Sequence, residues 1–311
     1  PHFMAGWHVL LESRFQQFII PRAGGFSVLR EGNDRQSVRT AIDLVAQGSR
    51  PLILFPEGYV TRTNDRLGIL QEGAALIARQ AASQRKKKNN GLAVIHPVII
   101  KYQFRGNLDQ AVKPKLARLE RKLSLPENSS ASLIIRQKYI REAIIRDREN
   151  KTLGEPTEGL LSKRASRLID ALLKPLEEAW GGIESSKDTY ERVRKLRLVI
   201  LERSVKKDLI EEENRRLHRQ LAHCTWALKL SSYDPDYLAK ELCVERFMET
   251  LDSLEEDVFR KIQVSRPWRM VLDIGNAIPV SPRDKTLGQQ LKDAMGIQLA
   301  ALATELNQPL P

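Results

Sequence analysis

The sequence predicts an α/β fold, a mixed sheet flanked by helices, followed by an all-helical C-terminal region. Three observations carry this. Two short apolar runs, Pro51–Phe55 and Leu92–Ile100, are bounded by Pro, Gly or polar residues, as buried strands are. A capped helical stretch separates the extended segment Gly24–Arg30 from the first of these runs, which is the strand–helix–strand rhythm of α/β folds. From Ile183 to Ile274 there is no glycine, Pro235 and Pro267 are the only prolines, and apolar residues recur at helical spacing. The expected organisation is an α/β domain over 1–125, a linker and connecting helix over 126–150, and a helical hairpin or bundle over 151–311.

Composition narrows the class. At 41% hydrophobic and 29% charged, the 311 residues fit a soluble globular protein. No run approaches the ~18 apolar residues that a membrane-spanning helix needs. Cys224 and Cys243 stand at no metal-ligand spacing, and a reducing compartment is expected. The formal charge of +12 favours an anionic partner: a phosphorylated small molecule, an acidic lipid surface or nucleic acid. Aromatic residues make up 6%, none interleaves with the basic run Arg85–Lys88, and the basic residues are spread through mixed-sign helices, which weakens the nucleic-acid reading.

Over residues 3–20, Phe3, Trp7, Leu10, Leu11, Phe15, Phe18 and Ile19 recur at helical spacing. This reads either as a helix packed on a sheet or as an interfacial helix on lipid. Against the second, Arg14 is the only basic residue there. Gly24-Gly25 then form a turn, and Arg30 ends the extended run that follows. A guanidinium beside such a turn can fork onto a phosphate; a surface arginine at a strand end is the plain alternative. Asn33-Asp34 cap a helix with Val38, Ile42, Leu44 and Val45 on its apolar side, and Gly48 ends it.

The strand at Pro51–Phe55 stops at Glu57, Gly58, Thr61 and Arg62. In open α/β sheets, ligands bind beyond the carboxyl ends of the strands, so these residues are the candidate site. An ordinary strand-to-helix loop with a solvated Glu is the alternative. Leu67–Ala82 is Ala- and Leu-rich and reads as a helix. Arg85–Asn90 reads as a basic loop, solvated or facing anionic headgroups. In the Leu92–Ile100 strand, Pro97 requires a bend or an edge, and His96 reads as a core or loop histidine. Lys115–Leu123 reads as a short basic helix. Further on, Tyr190–Leu230 and 237–263 read as two helices joined by the Asp234-Pro235-Asp236 turn, with charges typical of a solvated face. No internal repeat at a solenoid period stands out.

Three motifs in order, Gly24…Arg30, Phe55-Pro56-Glu57-Gly58 with Thr61-Arg62, and Val94-Ile95-His96-Pro97-Val98-Ile99, together resemble the PlsC-type glycerolipid acyltransferases (the 1-acyl-sn-glycerol-3-phosphate acyltransferase family). The resemblance covers roughly residues 1–125 and implies that family's α/β fold. It implies acyl transfer from a CoA or acyl-carrier-protein thioester to a phosphorylated glycerol acceptor such as lysophosphatidic acid, in phospholipid synthesis. Arg30 and Arg62 would hold the acceptor phosphate. Glu57 would orient acceptor hydroxyls or fix the loop, and Gly24, Gly58 and Thr61 would complete the substrate site. No metal or cofactor is implied beyond the acyl thioester. The implied location is cytoplasmic, in peripheral contact with the anionic inner face of a membrane, without nucleic acid.

Two departures stand out. Tyr59-Val60 occupy the place of the family's Thr-Arg, so that either Thr61-Arg62 supply those roles after a small insertion or Arg62 matches a later arginine. The family's catalytic His followed five residues later by Asp is also missing, since none of the five histidines has that partner. That pair is expected upstream of Pro1. Genuine loss would leave a non-catalytic lipid-binding or scaffold relative.

Overall fold

The computed structural model describes residues 1–6, 13–28, 34–126, 130–181, 186, 188–204, 210–233 and 242–310. Among them lie ten helices and seven short strands. The mixed α/β class is as expected, but the C-terminal region is not all-helical: strands β6 (Trp268–Ile274) and β7 (Ile278–Pro279) lie within it. The chain forms two compact units. The first comprises 1–61, 65–101 and 270–306; the second comprises 62–64, 102–269 and 307–311. Residues 270–306, expected in a helical domain, thus belong to the first unit. A strand run as short as β7 carries too little alternation to stand out from a helical background.

The first unit opens on β1 (His2–Gly6), the central strand of a parallel sheet ordered β2-β1-β3. Phe3–Gly6 lie in the stretch 3–20 that was expected to be helical. The strand has five residues, all partly exposed, too few to show a period of their own beside the helical spacing that follows. Helix α1 (Arg14–Arg22) follows, capped by the Ser13 hydroxyl, which accepts from Gln16 N at 3.1 Å. Strand β2 (Gly25–Val28) leads to α2 (Arg35–Gln47), which the Asp34 carboxylate caps at Ser37 N, 3.0 Å, and Gly48 closes at φ +70°. Ser37 Oγ donates to Ser27 O at 2.7 Å and fixes α2 to β2. Only Leu52–Ile53 of the expected strand pair as β3.

Helix α3 runs from Gly73 to Lys88, later at both ends than expected. Arg85–Lys88 is its last turn and not a loop. Cations are favourable beside the free carbonyls of a helix C-terminus, and Asn89 ends the helix in the left-handed conformation at φ +56°. Arg85 also donates to Ala46 O at 3.1 Å, tying α3 to the end of α2. The apolar run after α3 splits at His96-Pro97 into β4 (Val94–Ile95) and β5 (Val98–Phe104), the bend that Pro97 requires. Strand β4 pairs antiparallel with β7, and β5 pairs with β6. Helix α10 (Leu287–Leu306) buries Leu291, Met295, Leu299 and Leu302 with Ile99 in one core cluster.

The second unit is helical: α4 (Leu108–Lys122), α5 (Leu133–Leu153), α6 (Leu161–Ala179), α7 (Thr189–Ser204), α8 (Glu211–Ser231) and α9 (Val244–Phe259). The single helix expected over Tyr190–Leu230 is two, α7 and α8. The Asp234-Pro235-Asp236 turn lies outside the described residues. Helix α5, expected to be a connector, is a core element through Ile140, Ile144 and Ile145. The core also holds Leu116, Leu168, Leu173, Leu196, Leu217 and Phe247. Both cysteines are free and buried, and burial pushes the Cys224 thiol up to about 12.

Charge is used inside this unit as well as outside. Three buried arginine–glutamate forks recur between consecutive helices. Glu120 of α4 takes Arg136 of α5 at 2.7 and 2.7 Å. Glu149 of α5 takes Arg164 of α6 at 2.9 and 2.6 Å. Glu177 of α6 takes Arg192 of α7 at 2.7 and 3.0 Å. The partners are 16, 15 and 15 residues apart, so each fork clasps one helix–loop–helix joint. Of these side chains Arg192 was expected on a solvated face, yet all six are buried. Breaking one side of a buried pair leaves an uncompensated charge, at a cost of ~3–5 kcal/mol, whereas removing both partners is far milder. Arg164→Met is therefore expected to lower unfolding stability by that amount in chemical denaturation, and Glu149→Leu/Arg164→Met to recover most of the loss.

Candidate functional site

The three parallel strands of the first unit expose their carboxyl ends at one edge, where Gly6, Val28 and Ile53 end β1, β2 and β3. In a parallel sheet this is the edge that binds ligands. Phe55-Pro56-Glu57-Gly58 follows β3 and closes a tight turn, with Gly58 N donating to Phe55 O at 3.1 Å. Pro at the second position and Gly at the fourth are what such a turn favours. Gly58 then takes φ +76°, which any other residue would adopt with strain. Glu57 sits at the third position of this turn.

Glu57 is half-buried, and its Oε1 accepts from the backbone N–H of Gly68. Burial pushes its carboxyl above the ordinary value, and the Gly68 bond only partly opposes this. A Cβ on residue 68 would lie 2.9 Å from Glu57 Oε1 and 3.2 Å from Thr61 Cγ2. Glu57, Thr61 and Gly68 thus converge, and only glycine admits so close an approach. Gln71 N donates to Pro56 O at 2.7 Å and returns the far end of the loop to the turn.

The loop from Leu54 to Glu72 has no regular secondary structure, so something else must fix it. Within the first unit that anchor is Asp65, whose carboxylate pairs with Lys101 Nζ of β5; the side chains are 1% and 0% exposed. Leu67 and Leu70 pack beside it on the core cluster of Ile99 and α10. Neither Lys101 nor Asp65 received a role from the sequence alone. The available signal was a lysine inside the apolar run Val98-Ile99-Ile100-Lys101-Tyr102, which demands a buried counter-charge.

The other expected site residues fall elsewhere. Gly24, at φ +91°, lies at the amino end of β2, where a Cβ would be 2.6 Å from Pro1 O. It serves a close backbone crossing at the edge of the sheet opposite to Glu57. Arg30 follows Val28 by two positions and lies outside the described residues. Arg62 belongs to the second unit and is itself in the left-handed region, at φ +60°. Its guanidinium meets Glu256 Oε2 at 2.5 Å, Asp257 Oδ1 at 3.1 Å and Ser253 O at 3.1 Å. Lys229 Nζ adds a bond to Asp257 Oδ1 at 2.7 Å, and Tyr233 OH donates to Asp257 Oδ2 at 2.9 Å. The Arg62 guanidinium is thus already engaged by two carboxylates and a backbone carbonyl. Burial opposes ionisation of Glu256, but the bonds from Arg62 outweigh it and hold its carboxyl below the ordinary value.

Among the described residues, no group of three His, Cys, Asp or Glu side chains is placed to hold a metal ion. Nor is any helix among them long and apolar enough to cross a membrane. His96 is exposed, with Nδ1 3.1 Å from Gly275 O. Lys101→Met would strip Asp65 of its ammonium partner inside the protein. It is expected to cost the first unit ~3–5 kcal/mol, measured by denaturant unfolding, and Asp65→Leu/Lys101→Met to be much closer to wild type. Compared with family models, curated proteins and solved structures, the chain matches none.

Proposed function

We propose that this chain is an acyltransferase that moves a fatty acyl group from a CoA or acyl-carrier-protein thioester to a phosphorylated glycerol acceptor such as lysophosphatidic acid. The observation that carries the reading is the half-buried Glu57, held on a glycine turn beyond the carboxyl end of a parallel strand, with Thr61 beside it. In the reaction, the acceptor hydroxyl oxygen attacks the thioester carbonyl carbon. The C–S bond breaks, and the thiol leaves with the proton that the hydroxyl gives up. Glu57 accepts a hydrogen bond from an acceptor hydroxyl and fixes its approach, which is the positional part of catalysis. Gly58 lets the backbone come close to the acceptor. Arg30 takes the phosphate through charge-assisted bonds. Arg62 is left out of that role because two carboxylates already surround it. Phe55, Val60 and Ile69, all exposed on the same loop, offer apolar surface to the acyl chain.

A second reading has a specific observation behind it. No histidine of the chain is followed five residues later by Asp, which suits a lipid-binding relative without turnover. Turnover separates the two. The full-length protein is expected to acylate lysophosphatidic acid from an acyl thioester; lipid binding with no transfer would favour the second reading.

Glu57 supplies a sharper test. Because its carboxyl is raised in the folded chain, the stability it contributes is present below the ordinary value of 4.5 and is lost as pH rises through the raised value. Glu57→Gln keeps the acceptor for Gly68 N–H and removes the charge. Turnover is expected to fall ~100-fold, as for a misplaced substrate. At neutral pH the Tm is expected to equal or exceed that of wild type, with the difference closing in acid. Near wild-type turnover in this variant would remove Glu57 from the site.

A further inference from the structure

Helix α1 turns a bare apolar face outward. Phe15, Phe18 and Ile19 are 72%, 54% and 41% exposed, and their i, i+3, i+4 spacing puts them on one side. The opposite side is already engaged. Ile20 packs onto Gly25 and Phe3, so closely that a Cβ on Gly25 would lie 2.5 Å from Ile20 Cγ2. The helix therefore cannot rotate to hide its aromatic residues without leaving the sheet.

Helix α1 itself carries two charged residues, Arg14 and Arg22, and both are basic. Arg22 curls back along the helix: its guanidinium carbon lies 3.5 Å from the Phe18 ring centroid, and Nη1 donates to Phe18 O at 3.0 Å. A cation is thus fixed at the border of the apolar face, the position from which a long basic side chain reaches headgroups while its stem lies on apolar surface.

Size decides the occupant. At 150–250 Å² for a fully buried aromatic side chain, these three exposed residues present roughly 300 Å². A stable protein partner needs about 800 Å² per side. Insertion into a lipid interface has no such minimum, since depth and electrostatic attraction add to whatever area is present. The arginines of α1, Arg22 beside Phe18 above all, supply that attraction.

We propose that α1 is an interfacial anchor that inserts Phe15, Phe18 and Ile19 into an anionic lipid surface, with Arg22 at the headgroups. The proposal does not rest on the acyl-transfer reading, and its test uses no turnover. The protein is floated with vesicles of phosphatidylcholine, alone or doped with phosphatidylglycerol, and circular dichroism verifies that each variant is folded. Wild type is expected to bind the doped vesicles at least tenfold better than the neutral ones. Phe15→Ser/Phe18→Ser is expected to lose at least tenfold of that binding and Arg22→Glu several-fold. Unchanged binding in Phe15→Ser/Phe18→Ser would overturn the proposal, as would equal binding to both vesicles. A wild-type dimer that becomes monomeric in Phe15→Ser/Phe18→Ser, by analytical ultracentrifugation, would overturn it too, because the face would then belong to a second copy.

Discussion

A lysine and an aspartate removed from water together hold the candidate site in place. Asp65 and Lys101 lose nearly all their exposure in the first unit, and burial of either charge alone would be prohibitive. Together they form a contact that cannot slide, because any displacement of one strands the other. The loop that carries Asp65 has no ladder or helix of its own to set its course. Its shape comes from this pair, from Leu67 and Leu70 in the core cluster with α10, and from the turn that Pro56 and Gly58 impose. Glu57 is the beneficiary. Its oxygen reaches the Gly68 N–H only because residue 68, three positions past Asp65, is returned to the turn and carries no side chain.

The second unit uses buried charge differently. Its buried Arg–Glu forks repeat at the first three helix joints and fix how those helices meet. Around Asp257 a denser group gathers: Arg62, Lys229 and Tyr233 all bond to it. Such groups are satisfied internally and are not open to ligand. The +12 of the whole chain is therefore a poor guide to where an anion would bind. Many cations are engaged by carboxylates, and those placed to act outward must be found individually, as Arg22 is beside Phe18.

Much of the first unit was legible in the sequence, for definite reasons. The cap at Asp34 and the stop at Gly48 are chemical signals with local causes, and both hold. Pro97 announced the break between β4 and β5 for the same reason. Glu57 stood out because it follows the apolar run Pro51–Phe55, and ligands bind beyond the carboxyl ends of such strands. What the sequence hid depends on partners distant in the chain. His2–Gly6 becomes a strand only because β2 and β3 flank it. The role of residues 270–306 in the first unit comes from pairing with strands almost two hundred residues earlier, as in Val94 with Pro279. Arg62 looked like a phosphate ligand because nothing local reveals Glu256 and Asp257. Asp65 and Lys101 were hidden for the same reason, although a lysine amid Val98, Ile99 and Ile100 was a visible anomaly.

The central claim is that the Glu57 loop keeps its fixed shape only while the buried Asp65–Lys101 pair is intact. Hydrogen–deuterium exchange read by mass spectrometry on the peptide covering Leu54–Glu72 tests it most directly, comparing wild type with Asp65→Ala. The expected result is slow exchange in wild type and markedly faster exchange in the variant, with the α6 peptide unchanged. Equal exchange of the Leu54–Glu72 peptide in both proteins would contradict the account.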